Sequence, residues 1–514
     1  RELYFYKPLF NLHCLFVTIT VAVNSGTVNE VQESELKSWR EIPGPPSYPI
    51  IGPFLSFLPG SELGDLKTFQ EIMYKKFGPI VRLDSLLGRP PMIFLYDPEC
   101  IVLRNENVMP ERPGFQSLTY FRKIYNKTKE QQDKPTGLIT DDGDLWRQFR
   151  TTVNPIMLQP KTIKLYTNVL DEVAEDMVNR MKSKRNEKNM IDAKFDVEMN
   201  LWALESIGVV ALGGRLGCLK SDLPEDSPAR KLIQNVHDFF QISNALDFKP
   251  SLWRYVSTPL FKKAMKTYTT IEAIYYKLII FYTVYRTLRY FVKKAMEDLK
   301  GKNTSDDQKG ILEKLLEIDE DTAVIMANDM LFAGVDSSAT SITSMLYLMA
   351  KNQDKQDKLR EEVTSGSGEK TYLKACLKEN QRLMPVVSGN MRKVTKDYHL
   401  LGYKIPKGMI LIFTHELLSR MEEHYPRANE FLPERWYDKN APYYYTNAHP
   451  FTYSPFGFGV RGCIGRRIAE LEMEIFLAKL IKNFKVEWFG PLIVKTPVSL
   501  NYLQPPFNFI FKDV

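Results

Sequence analysis

Cysteine is scarce in this chain: there are five in 514 residues, Cys14, Cys100, Cys218, Cys376 and Cys463. None sits in a C-x-x-C pair, which removes zinc-ribbon and thioredoxin-like readings. An odd, sparse count fits a reducing, intracellular compartment, with four of the five as small buried hydrophobes. Histidine is nearly as rare, at six residues, and no motif offers a base for a cysteine nucleophile. A charge excess is missing too. The net +7 is spread along the chain. That is too mild for a nucleic-acid binder of this size, but it suits an acidic protein partner or an anionic membrane surface. No internal repeat and no long hydrophobic run is present. Leu9 to Val23 is apolar but carries Asn11, His13, Thr18 and Thr20. At about 15 residues it falls short of a membrane-spanning helix.

What is present is the composition of a large core, 44% apolar and 12% aromatic. The chain starts at Arg1 rather than Met, as a fragment or processed form would. Residues 1–37 read as a targeting leader or weak anchor. A single domain over 38–514 follows, opening on the stiff segment IPGPPSYPIIGP from Ile42 to Pro53. Apolar patterning predicts strands at Ile80–Leu83 and Met92–Tyr96, a turn at Gly88, and a helix over 98–107. Residues 110–138 and 221–258 read as loops, the second because prolines interrupt it. Helices are expected over 145–154, 160–182 and 196–212, then along an aromatic run from Phe261 to Leu299. Asp319 caps a long helix reaching about Ala350, and another helix covers Thr371–Leu383. Strands follow at 393–398, 399–404 and 409–414, and a last helix runs from Cys463 to Asn483. The sum is mainly helical with small sheets and no βαβ alternation.

One stretch carries chemistry: SPFGFGVRGCIGRRIAELE, from Ser454 to Glu472. Cys463 lies among glycines at the mouth of a helix, where oriented backbone N–H groups favour an anion and lower a thiol's pKa. Gly457, Gly459, Gly462 and Gly465 clear side chains away, so something large and flat can approach the sulfur. A thiolate there attacks a substrate or binds a metal. GFGVRG is formally a G-x-G-x-x-G, but no buried strand precedes it and no βαβ unit follows, which excludes the dinucleotide reading. Glu379 and Arg382, three apart on a helix, meet on one face; alone they read as a surface pair of little worth. Gly334 sits inside Ala333-Gly-Val-Asp-Ser-Ser338. A mid-helix glycine costs about 1 kcal/mol against alanine, so it needs a packing or functional reason.

Phe456-x-x-Gly459-x-Arg461-x-Cys463-x-Gly465, followed by Ala469-Glu470, resembles the haem-binding signature of the cytochrome P450 superfamily. WREIPGPPSYPIIGP, PERPGFQSL, VNPIMLQPKTIKLY, GRRIAELEMEIFL and FLPERW look most like insect mitochondrial members of its detoxification-associated group, over residues 38–514. The resemblance implies the mainly α cytochrome P450 fold, a large helical lobe and a small β-rich lobe with haem b between them. It implies Cys463 as the axial ligand of the haem iron, the arrangement that favours O–O cleavage. Trp146, Arg150, Arg392 and Arg461 become partners of the haem propionates. Glu379, Arg382 and Arg435 become a buried brace for the cysteine loop. Asp336 and Ser337 become the oxygen-side acid and hydroxyl, with Ser337 bonded back to the Ala333 carbonyl. Serine stands where the family usually has threonine.

The same resemblance implies that Lys374, Lys378, Arg466 and Arg467 face a small acidic [2Fe–2S] ferredoxin as electron donor. The implied activity is monooxygenation by O2 of an apolar small molecule, xenobiotic or steroid-like, without nucleic acid. The implied place is the mitochondrion, with peripheral contact to the inner membrane. Substrate contacts are expected from residues 110–135, 235–258, Met330–Phe332, Val386–Gly389 and Leu503–Phe507. Two alternatives stand beside it: a microsomal enzyme at the endoplasmic reticulum fed by a flavoprotein reductase, and a haem-binding protein without turnover. Three departures from the family are visible, the first an N-terminus that does not make a clear mitochondrial presequence. The aromatic run near 277–290 is longer than expected, and little more than TSGSG joins Glu362 to Thr371.

Overall fold

The structure is a computed structural model that describes residues 36–49, 51–58, 69–85, 90–99, 111–125, 134–191, 195–249, 251–275, 277, 309–495 and 500–514. Leu9–Val23, Cys14, Cys100, the Gly88 turn, nearly all of 98–107 and the aromatic run beyond 277 lie outside these residues.

The small lobe is built around two runs, MIFL and ILIF, that are apolar at every position. Its strands are Lys37–Ser38 (β1), Ile80–Leu83 (β2), Met92–Leu95 (β3), Asn390–Lys393 (β4), Tyr398–Leu400 (β5), Tyr403–Ile405 (β6) and Ile410–Phe413 (β7). β3 and β7 are buried throughout and lie parallel at the centre of a sheet ordered β2-β3-β7-β4. Strand side chains alternate faces. Ile93, Leu95, Leu411 and Phe413 therefore share one core with Ile42 and Ile405. Met92, Phe94, Ile410 and Ile412 share another with Met73 and Tyr96. The expected strand over 399–404 is really two, because Leu401 and Gly402 take positive φ (47° and 82°) and turn β5 back on β6. The strand expected at 393–398 sits three residues earlier, as β4.

The large lobe surrounds one helix, Glu320–Lys351, called here the long helix. Asp319 caps it as expected, accepting from Thr322 N at 2.7 Å. Along it runs Phe195–Leu212, a helix buried on nearly all sides. Gly334 makes this close approach possible: a Cβ there would lie 2.8 Å from Ile207 Cγ1. The packing reason for that glycine is thus present. Trp202 stacks on Phe476 at 4.3 Å, tying the same helix to Arg466–Asn483, the cysteine helix.

Two expected loops contain helix. Pro228–Ser243 is a helix inside 221–258, continued by a wider turn, Asn244–Phe248. Pro228 does not break it, because proline suits the first helical position, where its missing N–H has no partner to lose; Ser227 is the cap. Gln116–Tyr120 and the wide turn Phe121–Tyr125 lie inside 110–138. They are held by tertiary contacts: Asp247, buried, accepts from Ser117 N (3.0 Å), Ser117 Oγ (2.7 Å) and Ser243 Oγ (2.8 Å). The short TSGSG linker closes cleanly. Glu362, near the end of helix Gln353–Thr364, accepts from Tyr372 N (2.6 Å) and Leu373 N (2.8 Å), and so caps helix Thr371–Leu383.

Gly334→Ala should destabilise the protein despite better helix propensity. Overpacking costs about 1–3 kcal/mol against a propensity gain of about 1 kcal/mol. In an Ile207→Ala background the same change should become stabilising. Urea titrations of the four proteins in that cycle measure both signs.

Candidate active site

The loop from Ser454 to Gly465 is stitched by its own backbone. Gly457 N donates to Ser454 O (2.9 Å), Gly462 N to Gly459 O (3.0 Å) and Cys463 N to Phe456 O (2.8 Å). Gly457 and Gly459 have φ of +70° and +65°, where any side chain is strained. The cysteine helix starts at Arg466, with Gly465 as its cap, a few residues later than expected. Cys463 is accessible, whereas Cys218 and Cys376 are buried, as expected of small hydrophobes. Burial of its surroundings pushes the Cys463 thiol up. The Gly465 N–H and the charges of Arg112, Arg150 and Arg466 pull it down without cancelling that rise. A metal ligated by the sulfur would supply the missing charge, since metal binding displaces the thiol proton.

Positive charge gathers on one side of this loop. Arg461 donates to Asp141 O (3.1 Å) and Asp142 Oδ1 (2.6 Å), and its guanidinium lies 3.8 Å from the Trp146 ring centre. Arg150, on helix Gly143–Met157, gives Nη2 to Gly462 O (2.9 Å) while its buried Nε has no hydrogen-bond partner among the described residues. Arg392, on β4, gives Nη1 to its neighbour's carbonyl, and its buried Nη2 has no such partner. Burial, then Arg112 and Arg461, push Arg392 down to about 9. The motif reading named Trp146, Arg150, Arg392 and Arg461, and all four contribute to this region. It missed Arg112, which donates to Arg461 O at 3.0 Å; its signal was the Pro110-Glu-Arg-Pro113 string.

The brace is buried as expected. Glu379 Oε1 accepts from Arg382 Nη2 (2.8 Å), Leu432 N (3.0 Å) and Arg435 Nε (3.1 Å). Oε2 accepts from Arg382 Nε (2.9 Å) and Trp436 Nε1 (2.8 Å). The two guanidiniums spend their remaining N–H groups on carbonyls of Ser419, Ala428, Glu430, Pro426, Arg427 and Tyr443. The Trp436 ring meets Tyr453 at 4.7 Å, one residue before the cysteine loop, and Tyr453 OH donates to Gln381 Oε1 (3.0 Å).

On the long helix, Ser337 Oγ donates to Ala333 O at 2.7 Å, as expected. Asp336 points elsewhere. It is buried, accepts from Tyr502 OH (3.1 Å), and is pushed up to about 7, chiefly by desolvation. Ser338 donates to Glu472 of the cysteine helix, a buried acid pushed up to about 8 by desolvation. Tyr502 and Glu472 were not singled out, since neither pairs within its own element. Lys374, Lys378, Arg466 and Arg467 are exposed. Arg466 pairs with Glu470 at 2.8 Å, and Lys378 Nζ lies 5.8 Å from the Trp436 ring centre.

A family model described as Cytochrome P450 matches residues 42–507. The chain belongs to the cytochrome P450 family. It is 36% identical to "Cytochrome P450 CYP12A2" of Musca domestica, over 93% of this chain and 92% of that one. It is also 36% identical to "Probable cytochrome P450 12a5, mitochondrial" of Drosophila melanogaster, over 95% and 93%. Among solved structures, the "cytochrome P450DA heme domain" superposes with a TM-score of 0.68 at 19% identity, over 93% of this chain and 98% of that one. The protein is thus a cytochrome P450 monooxygenase, with haem b as cofactor and O2 and a redox partner as reactants.

The residues present fit that group. Among the described residues, no three His, Cys, Asp or Glu side chains gather to hold a bare ion. An ion on Cys463 must therefore bring its other ligands, as iron in a macrocycle does. The unpartnered N–H groups of Arg150 and Arg392 call for anions, and haem carries two carboxylates.

Arg392→Met should lower urea stability little or raise it, because it deletes a buried, uncompensated cation. The same change should speed haem loss to an excess acceptor protein by about tenfold. Glu472 also makes a pH statement. Its folded pKa is raised from 4.5 to about 8, so the native state holds a proton the unfolded chain has lost. Its contribution is intact below pH 4.5 and lost as pH rises to about 8. The fall in urea midpoint across that window should be smaller for Glu472→Gln than for the parent.

Proposed function

We propose that this P450 is a mitochondrial monooxygenase that takes electrons from a [2Fe–2S] ferredoxin and hydroxylates an apolar small molecule, xenobiotic or steroid-like. The observation that carries the donor assignment is the exposed basic set Lys374, Lys378, Arg466 and Arg467, on helix Thr371–Leu383 and the cysteine helix. Such a set attracts an acidic partner and orients it. Relatives named mitochondrial, such as the Drosophila melanogaster protein above, support the same reading.

Haem held through Cys463 supplies the activation of dioxygen. Arg150, Arg392, Arg461 and Trp146, with Arg112, would hold its carboxylates and keep them from water. Glu379, Arg382 and Arg435 hold the cysteine loop in place from behind. Ser337, locked on the Ala333 carbonyl, presents a hydroxyl at a fixed point, and Asp336 stores a proton one residue away. An acid near pKa 7 is half loaded at working pH, as a donor that must reload requires.

The preference for an apolar substrate rests on an aromatic roof. Phe115 takes a left-handed φ of 53°, and its ring lies 5.5 Å from Phe239, 6.0 Å from Phe240 and 6.0 Å from Phe248. Phe239 meets Phe332 of the long helix at 4.6 Å. Membrane contact is assigned to a groove of about 540 Å³ between Lys123–Ile124 and Trp253–Ser257. Leu252, Tyr255, Val256, Ile124 and Tyr125 are largely exposed around it, a density of apolar side chains that suits a lipid surface. Among the described residues no helix is long and apolar enough to cross a membrane.

Reconstitution decides the donor. A mitochondrial ferredoxin with its reductase should support turnover and the microsomal flavoprotein reductase should not. Lys374→Glu and Lys378→Glu should each raise the KM for ferredoxin about tenfold, leaving the reduced CO spectrum of a thiolate-ligated haem unchanged. A non-thiolate CO band in the parent would refute the monooxygenase reading of Cys463.

A further inference from the structure

Asp336 faces away from the Ser337 hydroxyl, and what it faces is chemically loaded. Its Oδ2 accepts from Tyr502 OH at 3.1 Å, and its Oδ1 is buried without a hydrogen-bond partner among the described residues. Tyr502 lies on Tyr502–Gln504 of the C-terminal hairpin. Its ring meets the His237 ring edge-on at 5.9 Å. His237 belongs to helix Pro228–Ser243 and is half-buried, with Nε2 2.6 Å from the Gln241 amide nitrogen at the surface. Asp196, at the start of helix Phe195–Leu212, completes the cluster. Burial raises the Asp196 carboxyl while nearby His237 pulls against that rise, and Asp196 in turn adds to the rise that burial gives Asp336. Four elements thus bring four titratable groups together between the surface and the long helix. One more titratable neighbour is Tyr275, buried with its hydroxyl unpartnered, beside Arg122 and Asp329.

The geometry points to Tyr502, with His237 and Asp196 behind it, as the outer half of a proton route that reloads Asp336 from solvent. The inference rests on the proposed role of Asp336 as proton store. In one step the phenol gives its proton to Asp336 Oδ2 and receives another, through a bridging water, from the His237 imidazolium. Tyr502 ends as it began, Asp336 gains one proton, and His237 loses one and recovers it from solvent. No electron moves. Burial raises the Tyr502 phenol well above its usual range, so the phenol passes a proton without pausing as phenolate. Carboxyl rotation then presents the proton through the unpartnered Oδ1 side. Tyr502 is a positioning residue here, because it acts through Asp336.

The test uses the holoenzyme with its electron donor and a saturating apolar substrate, in the parent and in Tyr502→Phe, His237→Gln and Asp336→Asn. Infrared difference spectra of the ferric protein labelled with ¹³C-aspartate read the Asp336 carboxyl directly. In Tyr502→Phe the pH midpoint of that band should rise, since a hydrogen bond to the carboxylate is lost. Turnover should fall on the order of tenfold to a hundredfold, with a larger solvent deuterium isotope effect and more electrons lost to peroxide. His237→Gln, at the surface and able to fold, should fall several-fold and shift the alkaline limb of the pH profile. If Asp336→Asn is slow but Tyr502→Phe and His237→Gln keep the parent's isotope effect and pH profile, Tyr502 is only a clamp and the route is wrong. If Asp336→Asn also matches the parent, the proton-store reading itself fails.

Discussion

A carboxylate with no access to water is the constraint from which the rest of this site follows. Glu379 is fully buried, and an unanswered charge there would cost several kcal/mol. It is answered by five donors from four residues: Arg382, Arg435, Trp436 and the Leu432 backbone. Both guanidiniums then need acceptors, and only backbone carbonyls are near. The irregular chain from Ser419 to Tyr443 is pinned to them as a result. Such a pair adds little net stability, but it admits one geometry. Through Trp436 and Tyr453 that geometry reaches the glycine loop holding Cys463.

The opposite face of the loop obeys the reverse logic. Arg112, Arg150, Arg392 and Arg461 crowd together, with Asp142 and Asp141 as nearby carboxylates. A protein that needed only to fold would not keep such a cluster. Such cations suit a ligand that brings its own negative charge. The long helix adds a third kind of burial: Asp336 and Glu472, on and against it, sit where desolvation favours their neutral forms near pH 7. Arginines that want anions lie around the sulfur, and acids that keep protons lie on the long helix and the cysteine helix.

The readable parts of the sequence were those whose reason is local. The cysteine loop is marked by glycines that must take positive φ, the long helix by its Asp319 cap, and the Glu379–Arg382 pair by helix spacing. Where the reason is remote, local reading failed. Residues 116–125 look like loop because what holds them, Asp247, is 130 positions away from Ser117. Pro228 was read as a breaker although its place after Ser227 is a helix-start signal, so that miss was one of weighting. Glu472 and Tyr502 gave no signal, since their partners Ser338 and Asp336 lie 134 and 166 positions distant.

By itself the sequence determined the family, the glycine-rich cysteine loop, the Glu379–Arg382 pair and most of the helices and short strands. All of these rest on interactions within a few residues, where spacing and residue type are enough. Tertiary structure alone decided which charges are buried without partners, which acids stay protonated and why Gly334 is a glycine. Each of those depends on dielectric and on contact between distant segments, and neither is written in local order. The thiol of Cys463 shows the boundary. The motif implies it as the ligand, whereas only the fold brings Arg112 and Arg150 to bear on it from distant segments.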